Sequence, residues 1–187
     1  MRVISGVAKG RRLFAPKGME TRPITSKIKE SLFNIWQTKI KGAFFLDLFA
    51  GSGSMGIEAL SRGAEKVIFV EKSRSTVEVI KKNLAVCGFH DGYELYRDDV
   101  FRRINWLSQR QDKFDIVYLD PPFTKPEIFV PVIESLGNAK ILAPEGMAAI
   151  RIRKDIAFPE TIGNLCRFRQ KTYGISVIHF YSYGGVI

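Results

Sequence analysis

Phe45-Leu46-Asp47-Leu48-Phe49-Ala50-Gly51-Ser52-Gly53-Ser54-Met55-Gly56 decides the fold. An apolar strand breaks at a glycine-rich turn and resumes as a helix. Gly51, Gly53 and Gly56 fit the spacing G-x-G-x-x-G. Glycine lets backbone approach a ligand closely, and a helix start presents free N–H groups. Glu71 lies twenty residues after Gly51, at the end of the next apolar run. An acid there binds the two hydroxyls of an adenosine ribose. The set reads as a site for an adenosine-containing cofactor and leaves open a dinucleotide or S-adenosylmethionine. Asp47 favours the second. A carboxylate just before the loop can hold a cationic amino-acid moiety, and nicotinamide cofactors carry no ammonium group. Asp47 can also accept loop N–H groups, and the two roles are compatible.

Strand and helix signals alternate outward from this unit. Upstream, Ile28, Leu32, Ile35 and Trp36 share one face of a helix expected over 26–39, with Ser26 as N-cap and Trp36 in the core. Downstream, helices are expected over 55–62, 75–86, 100–107 and 128–136, the last stopped by Gly137. Strands are expected over 44–49, 67–70, 93–96, 114–119 and 146–152. Residues 165–172 and 175–183 form an antiparallel hairpin around Tyr173-Gly174. Such alternation implies an α/β, Rossmann-like, doubly wound and mostly parallel sheet of seven strands.

The 187 residues make one domain with a short appendage, and mean hydropathy of −0.03 with 45% hydrophobic residues describes a soluble protein with a sizeable core. No apolar run approaches a membrane span or a signal peptide. Cys87 and Cys166 read as reduced thiols of a cytoplasmic protein. With His90 and His179 as the two histidines, no spacing supports a metal. Charge is uneven: residues 1–41 carry +8 of the net +10. The division expected is a basic arm and helix over 1–41 and a catalytic domain over 42–187. A solubilising surface would account for some of that charge, but its asymmetry is the footprint of a polyanion partner. Arg2, Lys9, Arg11, Arg12, Arg22 and Lys27 are the expected nucleic-acid contacts. Nothing points to an oligomer, so a monomer is expected.

Asp120-Pro121-Pro122-Phe123 follows the strand over 114–119. By itself this is an ordinary turn, because proline ends strands. Beside a cofactor loop it becomes chemistry. A carboxylate stands where parallel sheets keep their ligand crevice. Two prolines add carbonyl acceptors and no donors. Phe123 supplies a stacking face. The combination suits a planar ring bearing an exocyclic amine.

These motifs carry a family resemblance. The segment 47–53 with Gly56-Ile57-Glu58-Ala59-Leu60-Ser61-Arg62-Gly63-Ala64, then Phe69-Val70-Glu71-Lys72, then Asp120-Pro121-Pro122-Phe123, resembles the bacterial RsmD-type ribosomal RNA guanine-N2 methyltransferases. Arg2-Val3-Ile4-Ser5-Gly6 through Lys9-Gly10-Arg11-Arg12-Leu13 resembles the family's opening. Thr21-Arg22-Pro23 with Lys29-Glu30-Ser31-Leu32-Phe33-Asn34 resembles its arm-to-helix signature, and Tyr173-Gly174 its close. Two departures stand out. Ile24-Thr25 replaces the usual threonine after Arg-Pro, and Arg151-Ile152-Arg153 stands where a glutamate is usual after the fifth strand.

The resemblance implies a class I fold and methyl transfer from S-adenosylmethionine, leaving S-adenosylhomocysteine, to N2 of a guanine in small-subunit rRNA, position 966. The substrate would be ribosomal RNA or the assembling subunit. It implies that Asp120, Pro121, Pro122 and Phe123 hold the target base. Asp47, Phe49, Ala50, Gly51, Ser52, Gly53, Glu71, Lys72, Asp99 and Val100 would bind the cofactor, with Asp99 and the Val100 backbone at the adenine. Asp98 competes with Asp99, and either could instead cap the next helix. An adenine-N6 methyltransferase uses the same acceptor logic. A non-catalytic RNA-binding assembly factor would not need an intact Asp120 and Glu71. A nicotinamide oxidoreductase gives Asp120–Phe123 no task, and a carbon-5 pyrimidine methyltransferase needs a nucleophilic cysteine that neither Cys87 nor Cys166 supplies.

Overall fold

A computed structural model describes residues 1–16 and 24–185. Five strands pair in parallel: β1 (Phe44–Leu48), β2 (Lys66–Glu71), β3 (Tyr93–Arg97), β4 (Phe114–Leu119) and β5 (Leu142–Arg153). β6 (Thr161–Ile162), β7 (Leu165–Tyr173) and β8 (Ser176–Tyr183) continue the sheet antiparallel, in the order β3-β2-β1-β4-β5-β8-β7-β6. The sheet therefore has eight strands rather than seven. The extra one is a two-residue edge strand, too short to carry an alternation signal. Chain direction across the sheet reverses between β1 and β4, and that switch point opens the ligand crevice of such folds.

Helices α1 (Ser26–Ile35), α2 (Ser54–Ser61) and α3 (Arg74–Cys87) belong to one face, and α4 (Val100–Gln109) and α5 (Phe129–Ala139) to the other. Each face has its own core. Phe33, Trp36, Phe45, Phe69 and Tyr118 fill the first, and Leu46, Leu48, Val117, Leu119, Phe129 and Ile133 fill the second. Trp36 is fully buried and meets Phe33, Phe45 and Tyr118 edge-on, as a core residue.

Three local expectations are corrected. α1 stops at Ile35, and its N-cap is Thr25, whose extended backbone (φ −71°, ψ 152°) brings Oγ1 to the Ile28 N–H. Gly137 does not stop α5. It lies inside the helix, where a Cβ would stand 3.3 Å from Leu165 Cγ, and the left-handed Lys140 (φ 52°) caps the helix instead.

The start of the arm is docked. Arg2 and Arg12 form an antiparallel bridge, closing a turn that lies on α2. Glu58 of α2 is fully buried and accepts the N–H groups of Ile4 (2.8 Å) and Ser5 (3.0 Å). The Ala8 N–H donates to Ser61 Oγ, which donates to the Ser5 carbonyl. Gly6 has φ +82° and sits where a Cβ would be 1.6 Å from the Ser61 carbonyl oxygen, so no other residue fits that approach. The arm covers the outer face of α2, and all eight helix residues are buried.

Candidate active site

The carboxyl ends of β1, β2 and β4 surround a cavity of about 370 Å³. It is lined by Asp47, Phe49, Ala50, Gly51 and Ser52 from the end of β1, by Glu71 and Lys72 after β2, by Asp99 and Val100 after β3, and by Tyr118, Asp120 and Pro122 from β4. Motifs far apart in sequence thus share one cavity.

The glycine loop is built around two acids. Asp47 points to the α2 face, and its buried Oδ2 accepts the Gly56 N–H at 2.9 Å. Gly56 allows that approach: a Cβ there would lie 2.2 Å from the Phe69 ring. Glu71 Oε2 accepts the Gly51 N–H at 3.0 Å and Oε1 the Ser73 N–H at 2.8 Å. Each of these oxygens retains a second lone pair, so a diol can still be accepted. Phe49 has φ 61°, a conformation rarely adopted by bulky residues, in the turn that brings backbone to the cavity. Asn83 of α3 ties the loop to the arm. Its amide accepts the Phe14 N–H at 2.7 Å and donates to the Ser52 carbonyl at 2.8 Å.

Three of the residues expected to hold the base or the cofactor do not line the cavity. Gly53 caps α2 with φ 75° and packs against Ile80. Pro121 is buried. Phe123 is half-buried, and the Arg151 guanidinium lies over its ring at 4.9 Å. Asp99 lines the cavity but serves as the N-cap of α4: Oδ1 accepts the Phe101 N–H at 3.0 Å, and Oδ2 pairs with Lys72. Asp98 is tied to Arg103 at 2.8 Å. Arg2, Lys9, Arg11, Arg12 and Lys27 are all exposed, whereas Arg22 lies outside the described residues. Met1 and Ile24 line the cavity, so both ends of the described arm reach its rim.

Burial pushes Asp47 well above the usual carboxylate range; the Gly56 N–H opposes the shift, and the charges of Asp120 and Glu71 add to it. Burial also raises Glu71, against its backbone N–H partners. Asp120 is raised by burial and pulled back by Arg151, whose Nη1 stands 2.8 Å from Asp120 Oδ2. A protein of net charge +10 therefore lines one cavity with four carboxyl groups, Asp47, Glu71, Asp99 and Asp120, two of which raise Asp47 by their charge.

Arg151 and Tyr118 are site residues that sequence reasoning misses. The signal that could find Arg151 is the parallel register. Leu119 faces Ile150, so Asp120, just past the end of β4, and Arg151, within β5, stand side by side. Among the described residues no cluster of His, Cys, Asp or Glu could hold a metal, and no helix is long and apolar enough to cross a membrane.

Comparison with known proteins gives the family and the fold. The family described as "Conserved hypothetical protein 95" matches residues 1–182. The chain is 38% identical over 185 residues to "Putative rRNA methyltransferase YlbH" of Bacillus subtilis, covering 99% of this chain and 100% of that one. It is 34% identical to "Ribosomal RNA small subunit methyltransferase D" of Haemophilus influenzae, covering 97% and 93%. The solved structure titled "Putative methyltransferase yhhF from Escherichia coli" superposes with a TM-score of 0.84 at 29% identity, covering 98% of this chain and 97% of that one. The chain belongs to the RsmD-type family of small-subunit ribosomal RNA methyltransferases.

Proposed function

We propose that this protein transfers a methyl group from S-adenosylmethionine to the exocyclic N2 of a guanine in 16S ribosomal RNA. The observation that carries the reading is the convergence of Asp47, Glu71 and Asp120 on one cavity. A carboxyl-lined cavity disfavours a pyrophosphate, and a bound cation would draw the proton off Asp47, which favours the sulfonium cofactor over a dinucleotide. Glu71 would hold the ribose hydroxyls, Asp47 the ammonium group, and the 49–52 backbone the methionine moiety. Asp99 has Oδ1 committed to its cap and Oδ2 paired with the exposed Lys72; the adenine amine would take that lysine's place at Oδ2, with the Val100 N–H beside it.

S-adenosylmethionine supplies an electrophilic methyl on a sulfonium. The protein's task is to aim a poor nucleophile at it, since an aryl amine's lone pair is delocalised into the ring. Asp120 and the Pro121 carbonyl would accept the two N–H bonds, favouring a pyramidal nitrogen whose lone pair faces the methyl. The N–CH3 bond forms as the S–CH3 bond breaks, and the ammonium product then loses one proton to water or to Asp120. No strong base is needed. Phe123 would stack on the extruded base.

The exposed cations of the arm would bind RNA phosphates. Their placement supports this: Arg2 is bridged to Arg12, and Met1 beside it lines the cavity. Nucleoside mapping of ribosomal RNA from cells lacking this protein tests the proposal. Loss of one N2-methylguanosine, restored by the wild-type gene, is expected. Loss of N6-methyladenosine instead, or of nothing, would refute it.

A further inference from the structure

Asp120 and Arg151 follow residues paired across β4 and β5, and their side chains meet at 2.8 Å. Arg151 is 7% exposed. Its guanidinium carbon also lies 4.9 Å from the centroid of the Phe123 ring. One buried side chain thus touches the first and last residues of the Asp120–Phe123 loop from a neighbouring strand.

We propose that Arg151 is a positioning residue for methyl transfer. It holds Asp120 Oδ2 so that Oδ1 meets the target amine, and it fixes the Phe123 ring on which the base stacks. The inference rests on the acceptor role assigned above to Asp120. A planar guanidinium does both jobs at once, donating in its plane and stacking with its face. A carboxylate that turns about its χ angles would lose the alignment on which the transfer depends. The pairing is poorly explained by stability alone, because buried ion pairs often exchange for apolar groups without loss.

Arg151 also sets the charge state of the loop. The groups facing Asp120 are Arg151 itself, the buried phenol of Tyr118, and the carboxyl of Asp47; Glu71 and Lys125 line the same cavity. Burial holds the Tyr118 phenol far above its usual range, so it stays neutral. Arg151 is the cation paired with Asp120, and without it Asp120 would protonate at higher pH.

The experiment compares Arg151→Gln, Arg151→Lys and Asp120→Asn for kcat, KM and pH profile on ribosomal RNA. S-adenosylhomocysteine binding by calorimetry checks that each variant is folded. Arg151→Gln should lower kcat about 100-fold with the KM for S-adenosylmethionine little changed. Its acidic limb should move up by about one pH unit, since losing an adjacent cation raises a carboxyl pKa. Arg151→Lys should keep the limb near wild type and lose part of kcat, because an ammonium keeps the charge but not the fork or the stack. Asp120→Asn with Arg151→Gln should be no worse than Asp120→Asn alone. If Asp120→Asn turns over normally, the acceptor reading fails. If Asp120→Asn is inactive while Arg151→Gln keeps wild-type kcat and acidic limb, the role of Arg151 fails. Should Arg151→Gln not bind S-adenosylhomocysteine, wild-type kcat in Arg151→Lys would overturn the proposal, and a reduced kcat with an unmoved limb would support it.

Discussion

Replacing Glu58 by glutamine should undock the arm, and the size of the effect follows from its contacts. Glu58 Oε2 accepts the Ile4 N–H and stands 3.0 Å from Lys29 Nζ. Oε1 accepts the Ser5 N–H and stands 2.8 Å from Arg62 Nε. All four partners are donors. A glutamine turns one of its ends into a donor facing donors, whichever way it flips. Lys29 is also left as a buried charge without its partner. Burial already pushes its ammonium below the usual lysine range, with Glu58 pulling it back up. Breaking a buried pair from one side costs about 3–5 kcal/mol. For a domain of this size, that lowers the melting temperature by about 6–20 °C. Adding Lys29→Met removes the stranded charge and should recover about 1–3 kcal/mol. Thermal melts of both single variants and the double variant measure the cycle, and hydrogen exchange should rise at Ile4, Ser5 and Ala8. A destabilisation below about 1 kcal/mol, or strictly additive single variants, would refute the idea that one buried carboxylate seats the arm.

Asp47→Asn separates stability from ligand binding. The native carboxyl is held above its ordinary pKa of about 3.9, so native protein keeps a proton that unfolded chain releases. Stability from this group therefore falls as pH rises from about 4 through the native value, and asparagine should flatten that slope in melts taken across pH. At neutral pH the variant should melt no lower than wild type while S-adenosylmethionine binds more weakly; unchanged affinity would remove Asp47 from the cofactor site. Gly56→Ala should destabilise α2, because overpacking against Phe69 costs about 1–3 kcal/mol and outweighs the helix-propensity gain of about 1 kcal/mol. A higher melting temperature would contradict the packing described. Alanine at Lys9, Arg11 and Arg12 should flatten the salt dependence of RNA binding by about 0.7 log units per log salt for each phosphate no longer neutralised; an unchanged slope would make these ordinary surface charges.

The sheet and the cofactor loop were legible because each rests on a local constraint. Gly56 has no Cβ where Phe69 leaves no room, Asp47 and Glu71 accept loop N–H groups, and β4 is apolar but for Asp115 and is followed directly by Asp120. Contacts between distant segments were not legible. Nothing in the sequence marks Glu58 and Ser61 for burial, and only the folded arm shows why polar atoms belong there. Gly137 looked like a stop because composition does not reveal what a missing Cβ makes room for. Arg151 showed in sequence only as a departure where a glutamate is usual, and its partner became visible only once β4 and β5 were in register. Thr25 rather than Ser26 caps α1, a one-residue difference between two hydroxyls that spacing does not resolve.

The central claim is that Asp120 accepts the target amine in a cavity that already holds S-adenosylmethionine. The direct measurement is single-turnover transfer of labelled methyl to ribosomal RNA by Asp120→Ala, with S-adenosylmethionine binding measured by calorimetry on the same preparation. The account predicts near-complete loss of transfer with binding largely kept. Full turnover by the variant would contradict it.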